Sequence, residues 1–225
     1  MTSNNLTIKL VRHGQSQSNT KEVEATFIGD HNVALTPFGE EQAKNAGKTL
    51  VTEGFFEEPN PIIYCSPYKR TRQTCQLILS QFSRELILNK RSLKIYEDPR
   101  LREVERGYNK AENHDEIIDC MRATHGKFFY RLNQGESPAD CYDRICTFLE
   151  SLMRQVNRKN AEKVLIVAHG MTIRCFVMRF LHLTIEDFDA IRLPKNGEIV
   201  TIAQNLETPV FTSGDWGTTG VSLYD

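Results

Sequence analysis

Short apolar runs, each breaking off into polar or basic residues, alternate along this chain with longer stretches whose apolar residues recur every three or four positions. Ile8, Leu10 and Val11 form the first run, Ile62 to Cys65 the second, residues 94–96 a weaker third and Val164 to Ala168 the fourth. All are too short for a typical helix, so they read as strands. Between them, helical spacing predicts helices over Pro37–Glu53, Pro67–Gln81, Pro138–Val156 and Met171–Leu181. The third of these places Cys141, Ile145, Phe148, Leu149, Leu152 and Val156 on one face, behind Ser137 as cap and Pro138 in the first turn. Strands alternating with helices predict an α/β fold in which a mostly parallel sheet is covered on both faces. Gly197 to Gln204 reads as a last strand, and residues 207–225, with Gly214, Gly217 and Gly220, as a C-terminal tail. No repeat or second domain is visible, so residues 1–225 are read as a single domain.

Three of the apolar runs end in groups suited to an anion. The first leads into Arg12-His13-Gly14 and the fourth into His169-Gly170, while the second leads through Ser66-Pro67 to Arg70. Ser66 is placed to cap the helix that begins at Pro67, which sets Arg70 near its first turn, where backbone amides also favour negative charge. Open α/β sheets carry their chemistry at the carboxyl ends of strands. A neutral imidazole is a good nucleophile toward phosphorus, and a forked guanidinium suits phosphoryl oxygens. Leu101 to Gly107 adds the missing acid, but Glu103 and Glu105 lie on the same side of an extended loop, and spacing alone does not separate them.

These residues resemble the histidine phosphatase superfamily, which includes cofactor-dependent phosphoglycerate mutase. Its opening motif is matched by Arg12, His13, Gly14, Ser16 and Asn19. Leu35-Thr36-Pro37-x-Gly39-x-x-Gln42 is similar to its first helix, and Ser66-Pro67-x-x-Arg70-x-x-Gln73-Thr74 to its second arginine motif. Leu101-x-Glu103-x-x-x-Gly107 resembles its acid loop, and Val167-x-His169-Gly170 its second histidine. The resemblance implies a three-layer α/β/α sandwich, phosphoglycerate mutase-like, with the last strand antiparallel at the sheet edge. It also implies that His13 attacks phosphorus and that Arg12, Arg70 and His169 hold the phosphoryl oxygens, with Asn19, Gly170 and Ser16 as further binding residues. The register to Gly107 selects Glu103 over Glu105 as the acid. A helical lid, residues 108–134, is expected over the site.

The preferred reading is therefore a metal-independent phosphomonoesterase that forms a phosphohistidine on a small-molecule or sugar phosphate, with no cofactor. Gly135-Glu136-Ser137 resembles a loop of phosphatase members, whereas Val104-Glu105-Arg106-Gly107 departs from the mutase pattern. A mutase, which would need 2,3-bisphosphoglycerate, and a phosphate- or phosphopeptide-binding module without turnover remain the alternatives. Ser16 also reads as an ordinary helix cap, Arg72 as a rim cation, and Arg102 and Arg106 as surface arginines. His31, His114, His125 and His182 read as solvated or capping, and no pair has metal-ligand spacing. Gly47-Lys48-Thr49 lacks a glycine-rich loop before it, and Cys65 stands one residue too close to Arg70 for the cysteine phosphatase loop.

Composition narrows the partners. The chain has 225 residues, 40% of them hydrophobic, enough for one core, and a formal charge of −1 that gives no reason to invoke nucleic acid or an anionic membrane. Its most hydrophobic helix is interrupted by Arg174 and Arg179 and is too short to span a bilayer. Six scattered cysteines read as reduced thiols of a cytoplasmic protein. A small phosphorylated substrate is the expected partner, and homodimer formation is left open.

Overall fold

A computed structural model describes residues 6–20, 28–57, 61–82, 93–107 and 114–224. Strands β1 (Thr7–Arg12), β2 (Ile62–Cys65), β3 (Ile95–Glu97) and β4 (Lys163–Ala168) are parallel; β5 (Ile199–Gln204), β6 (Phe211–Ser213) and β7 (Trp216–Thr219) run antiparallel to their neighbours. They form one sheet in the order β3-β2-β4-β1-β5-β7-β6. Around it stand α1 (Pro37–Thr52), α2 (Lys69–Leu79), α3 (His114–His125), α4 (Pro138–Lys159), α5 (Gly170–Leu181) and α6 (Ile185–Ala190).

The strand pleat sorts side chains to two faces. Ile8, Leu10, Ile62, Tyr64, Val164 and Ile166 pack in one core with Phe148 and Leu152 of α4 and Phe176 of α5. Val11, Ile63, Cys65, Leu165 and Val167 face the other way, onto Ala46 and Leu50 of α1 and Cys75 and Ile78 of α2. The result is the expected α/β/α sandwich, and it explains the unbroken apolar runs: β1, β2 and β4 are covered on both sides.

Local chemistry sets the starts of α1 and α4. The Thr36 hydroxyl accepts the Gly39 N–H at 3.1 Å, with Pro37 in the first turn of α1, and Ser137 and Asp140 form a reciprocal capping box on α4. At α2 the expectation fails: the helix begins at Lys69 behind Tyr68, which makes no side-chain cap. The Ser66 hydroxyl, expected to cap it, is turned instead toward His169.

Two further expectations are corrected. The last strand, β5, is not at the edge but beside β1, and the supposed tail supplies β7 and β6 beyond it. Trp216 packs edge-on against Phe180 at 5.0 Å, and the Thr218 hydroxyl donates to the Thr201 carbonyl at 3.0 Å. Of the lid segment, residues 108–113 lie outside the described residues. Its helix α3 is followed by Phe128, which is buried against Phe188 and Tyr142, while Phe129 stays exposed. No helix among the described residues is long and apolar enough to cross a membrane.

Candidate active site

The carboxyl ends of β1, β2 and β4 lie side by side, so their following residues meet at one end of the sheet. The loop after β1 is shaped by neighbours from three of the other motifs. His13 N–H donates to the Ala168 carbonyl at 3.0 Å, Gly14 N–H to Thr74 Oγ1 at 3.1 Å and Gln15 N–H to Gln42 Oε1 at 2.8 Å. Gln73 Oε1 accepts the Leu35 N–H at 2.9 Å. Gly14 and Gly39 lie backbone to backbone: a Cβ on Gly14 would sit 2.1 Å from the Gly39 carbonyl oxygen. Only glycine permits that approach.

Inside this frame the two imidazoles stand edge to face, ring centroids 5.2 Å apart. His13 Nδ1 donates to the Gly14 carbonyl at 2.7 Å, which leaves Nε2 with its lone pair outward. His169 is tied through the opposite nitrogen: Nε2 meets Ser66 Oγ at 2.8 Å. Burial, and after it the charge of Arg70, holds both imidazoles well below the usual histidine range, so both are neutral at pH 7.

The guanidiniums are oriented with equal care. Arg12 Nη1 donates to the Pro194 carbonyl at 2.6 Å, with Gly170 beside its guanidinium. Arg70 gives its two terminal nitrogens to Asp30, Nη1 to Oδ1 at 2.9 Å and Nη2 to Oδ2 at 3.0 Å. Five buried side-chain nitrogens among the described residues lack a hydrogen-bond partner, and three of them are Arg12 Nε, Arg70 Nε and His169 Nδ1. Buried polar atoms are normally satisfied, so three such atoms around His13 mark a place built for an anion's oxygens.

Glu103 and Glu105 part company here. Glu103 Oε2 accepts the Met171 N–H at 3.4 Å, over the start of α5, and its charge is the leading one opposing the burial that lowers Arg12. Glu105 lies by Tyr68, whose hydroxyl is pushed up to about 12 by burial and then by Asp30 and Glu105. The acid loop is fastened from behind. Glu136 pairs with Arg102, accepts from Arg144 Nη2 at 3.2 Å and accepts the Glu105 N–H at 3.3 Å. Arg102 is therefore a strut rather than a free surface arginine.

The remaining candidates differ in what they offer a ligand. The Ser16 hydroxyl is buried and spent on Asn19 Oδ1 and Ser18 Oγ, both within its own loop, so it is not offered to a ligand. Asn19 is exposed, its Oδ1 accepting from Ser16 and from Asn196 Nδ2 at 3.3 Å, while its own Nδ2 has no partner among the described residues. Arg72 pairs with Glu97 at 2.6 Å on the surface. The Cys65 thiol is pushed up by Cys75 and by burial, the opposite of an activated nucleophile. The sequence assigns no site role to Ser66, Asp30, Asn196 or Glu136; the placing of Ser66 inside the second arginine motif and of Glu136 in the Gly-Glu-Ser loop are the two hints it offers. Beside the site, Met171 also lines a cavity of about 360 Å³ with Arg122, Lys127, Arg174, Asp119 and Phe188.

The carboxyl ends of three parallel strands in a mixed sheet gather two neutral imidazoles and two arginines, with a carboxylate from a neighbouring loop, an arrangement that suits an anion. Residues 8–214 match the family model of the histidine phosphatase superfamily (branch 1), and the chain belongs to that family. Phosphoglycerate mutase-like protein AT74 of Arabidopsis thaliana is 36% identical over 203 residues, 85% of this chain and 63% of that protein, so the chain spans under two thirds of its length. Broad-range acid phosphatase DET1 of Saccharomyces cerevisiae is 25% identical, covering 87% of this chain and 84% of its own. Among solved structures, a mycobacterial glucosyl-3-phosphoglycerate phosphatase complexed with VO3 superposes with a TM-score of 0.71 at 19% identity, covering 95% of this chain and 97% of that one. The alpha-ribazole phosphatase of Shigella flexneri gives 0.66 at 21% identity, over 97% and 95%. At such identities the structures attest the fold.

Proposed function

We propose that the protein is a metal-independent phosphomonoesterase that works through a phosphohistidine on His13. The observation that carries this is the outward Nε2 lone pair of His13 ringed by unpartnered nitrogens of Arg12, Arg70 and His169. Nε2 attacks phosphorus in line; the N–P bond forms as the bond to the leaving oxygen breaks, and Glu103 gives that oxygen its proton. Water then attacks the phosphoimidazole, Glu103 takes the water's proton, and the N–P bond breaks to release phosphate. Arg12 and Arg70 offset charge on the three equatorial oxygens throughout, with Asn19 Nδ2 and the Gly170 N–H at the helix start as additional donors. With the Ser66 hydroxyl donating to Nε2 of His169, the proton of that ring sits on Nδ1 and points a hydrogen bond at the phosphoryl group.

Phosphatases among the relatives and structural neighbours support hydrolysis, and the cavity beside Met171 is where we place the alcohol portion of a small substrate. Relatives also include 2,3-bisphosphoglycerate-dependent phosphoglycerate mutases at 29 to 33% identity, which keeps transfer back to substrate as the second reading. Phosphate release from an aryl phosphate, measured with a metal chelator present for wild type and His13→Ala, tests the proposal. Chelator-resistant release that disappears in the variant is expected. Isomerisation of 3-phosphoglycerate dependent on 2,3-bisphosphoglycerate, with no net release, would establish the mutase instead.

A further inference from the structure

Asp30 belongs to no motif, yet it takes both terminal nitrogens of an arginine in the site. It sits on a 3-10 turn, Asp30–Asn32, that lies against α2. Its carboxylate takes both terminal nitrogens of Arg70, and its backbone carbonyl accepts a further bond from Nη1 at 2.7 Å. The face of the guanidinium is fixed as well, 4.9 Å from the centre of the Tyr68 ring. Arg70 is 4% exposed and the Asp30 side chain 33%, so this is a buried fork closed by a carboxylate at the solvent edge.

A guanidinium has two two-pronged edges, the end between Nη1 and Nη2 and the side between Nε and Nη2. Asp30 fills the end. The side edge, with the unpartnered Nε, is what remains for a phosphoryl group. Resting on the phosphoryl-transfer reading above, we propose that Asp30 is a positioning residue: it holds Arg70 so that the Nε and Nη2 edge meets the oxygens in the transition state, and its charge weakens the hold on the phosphate dianion. Orientation of this kind acts on turnover, because small misplacements of a charge-stabilising group cost rate steeply. Charge compensation acts on ground-state binding, because a carboxylate near the pocket repels a dianion.

The two effects make a signature that loosened structure does not share. In Asp30→Ala and in the near-isosteric Asp30→Asn, kcat should fall about thirtyfold and about tenfold, while KM does not rise and inorganic phosphate inhibits more tightly. Asp30→Glu should recover part of kcat. In an Arg70→Lys background, which keeps the charge and lacks a fork to orient, Asp30→Asn should change kcat less than about threefold further. Unchanged kcat in the single variants, a rise in KM with kcat intact, or the same loss in both backgrounds would overturn the proposal. Should the wild type hydrolyse no phosphomonoester, the phosphatase reading fails by itself. Calorimetric binding of inorganic phosphate then decides Asp30: tighter binding by Asp30→Asn than by wild type supports its charge-compensating role, and equal or weaker binding refutes it.

Discussion

The molecule contains the same local pattern twice, a buried parallel strand ending in His-Gly, and uses it in two opposite ways. At the end of β1, Gly14 binds Nδ1 of His13 and turns Nε2 outward as a lone pair. At the end of β4, Ser66 binds Nε2 of His169 and leaves Nδ1 unpartnered. Both rings are neutral and almost fully buried, so burial does not tell them apart. What differs is which nitrogen the neighbour has taken. A ring held by a carbonyl carries its proton there and presents a nucleophile on the far side; a ring held by a hydroxyl is free to present a donor.

The difference can be broken most severely at the nucleophile. His13→Ala should lower kcat by at least about ten-thousandfold, whereas His169→Ala, losing one stabilising donor, should cost about a hundredfold to a thousandfold. Equal losses in steady-state assays of the two variants would erase the distinction. Glu103→Gln should come next, with losses in kcat/KM, which reports the transfer to His13, of about a hundredfold or more for alkyl phosphates and much smaller ones for aryl phosphates, whose leaving oxygen needs no proton. Glu105→Gln should show no such dependence on the leaving group in the same assay.

Ser66→Ala sharpens the comparison at smaller amplitude. Removing the hydroxyl frees His169 to change tautomer, and a single hydrogen bond of about 1–1.5 kcal/mol corresponds to roughly a tenfold loss of kcat. Stability should carry the mark of both rings. Their folded pKa values lie below the unfolded value of about 6.5, so below that pH the unfolded chain binds protons that the folded chain refuses, and stability falls with acidity by up to about 1.4 kcal/mol per pH unit for each ring. A thermal melt from pH 8 to pH 5 should fall below about pH 6.5, and less steeply in His13→Gln. The smallest effect is expected at Arg72, whose exposed pair with Glu97 should change neither turnover nor melting by more than a trace in Arg72→Ala.

What could be read beforehand follows from how local each feature is. β1, β2 and β4 announce themselves because both faces are buried, and α1 and α4 because Thr36-Pro37 and Ser137-Pro138 carry their own caps. His13, Arg70, His169 and Glu103 were legible because each terminates or follows such an element at fixed spacing. Ser66 misled, since its hydroxyl answers to His169, 103 residues away, rather than to the helix it precedes. β6 and β7 are three and four residues long and exist by pairing, β7 onto β5 and β6 onto β7, which leaves no period to see. Asp30 was invisible for the same reason: its partner is 40 residues distant, and an aspartate in a polar turn has nothing in its neighbourhood to distinguish it.

The contrast between the two histidines is tested most directly by trapping the intermediate. Wild-type protein mixed with an aryl phosphate, quenched within a turnover under conditions that preserve phosphoramidates and digested for mass spectrometry, should carry one phosphoryl group on His13 and none on His169. A phosphoryl group on His169 or on a carboxylate, or turnover with no trapped group on either ring, would contradict the assignment of His13 as nucleophile.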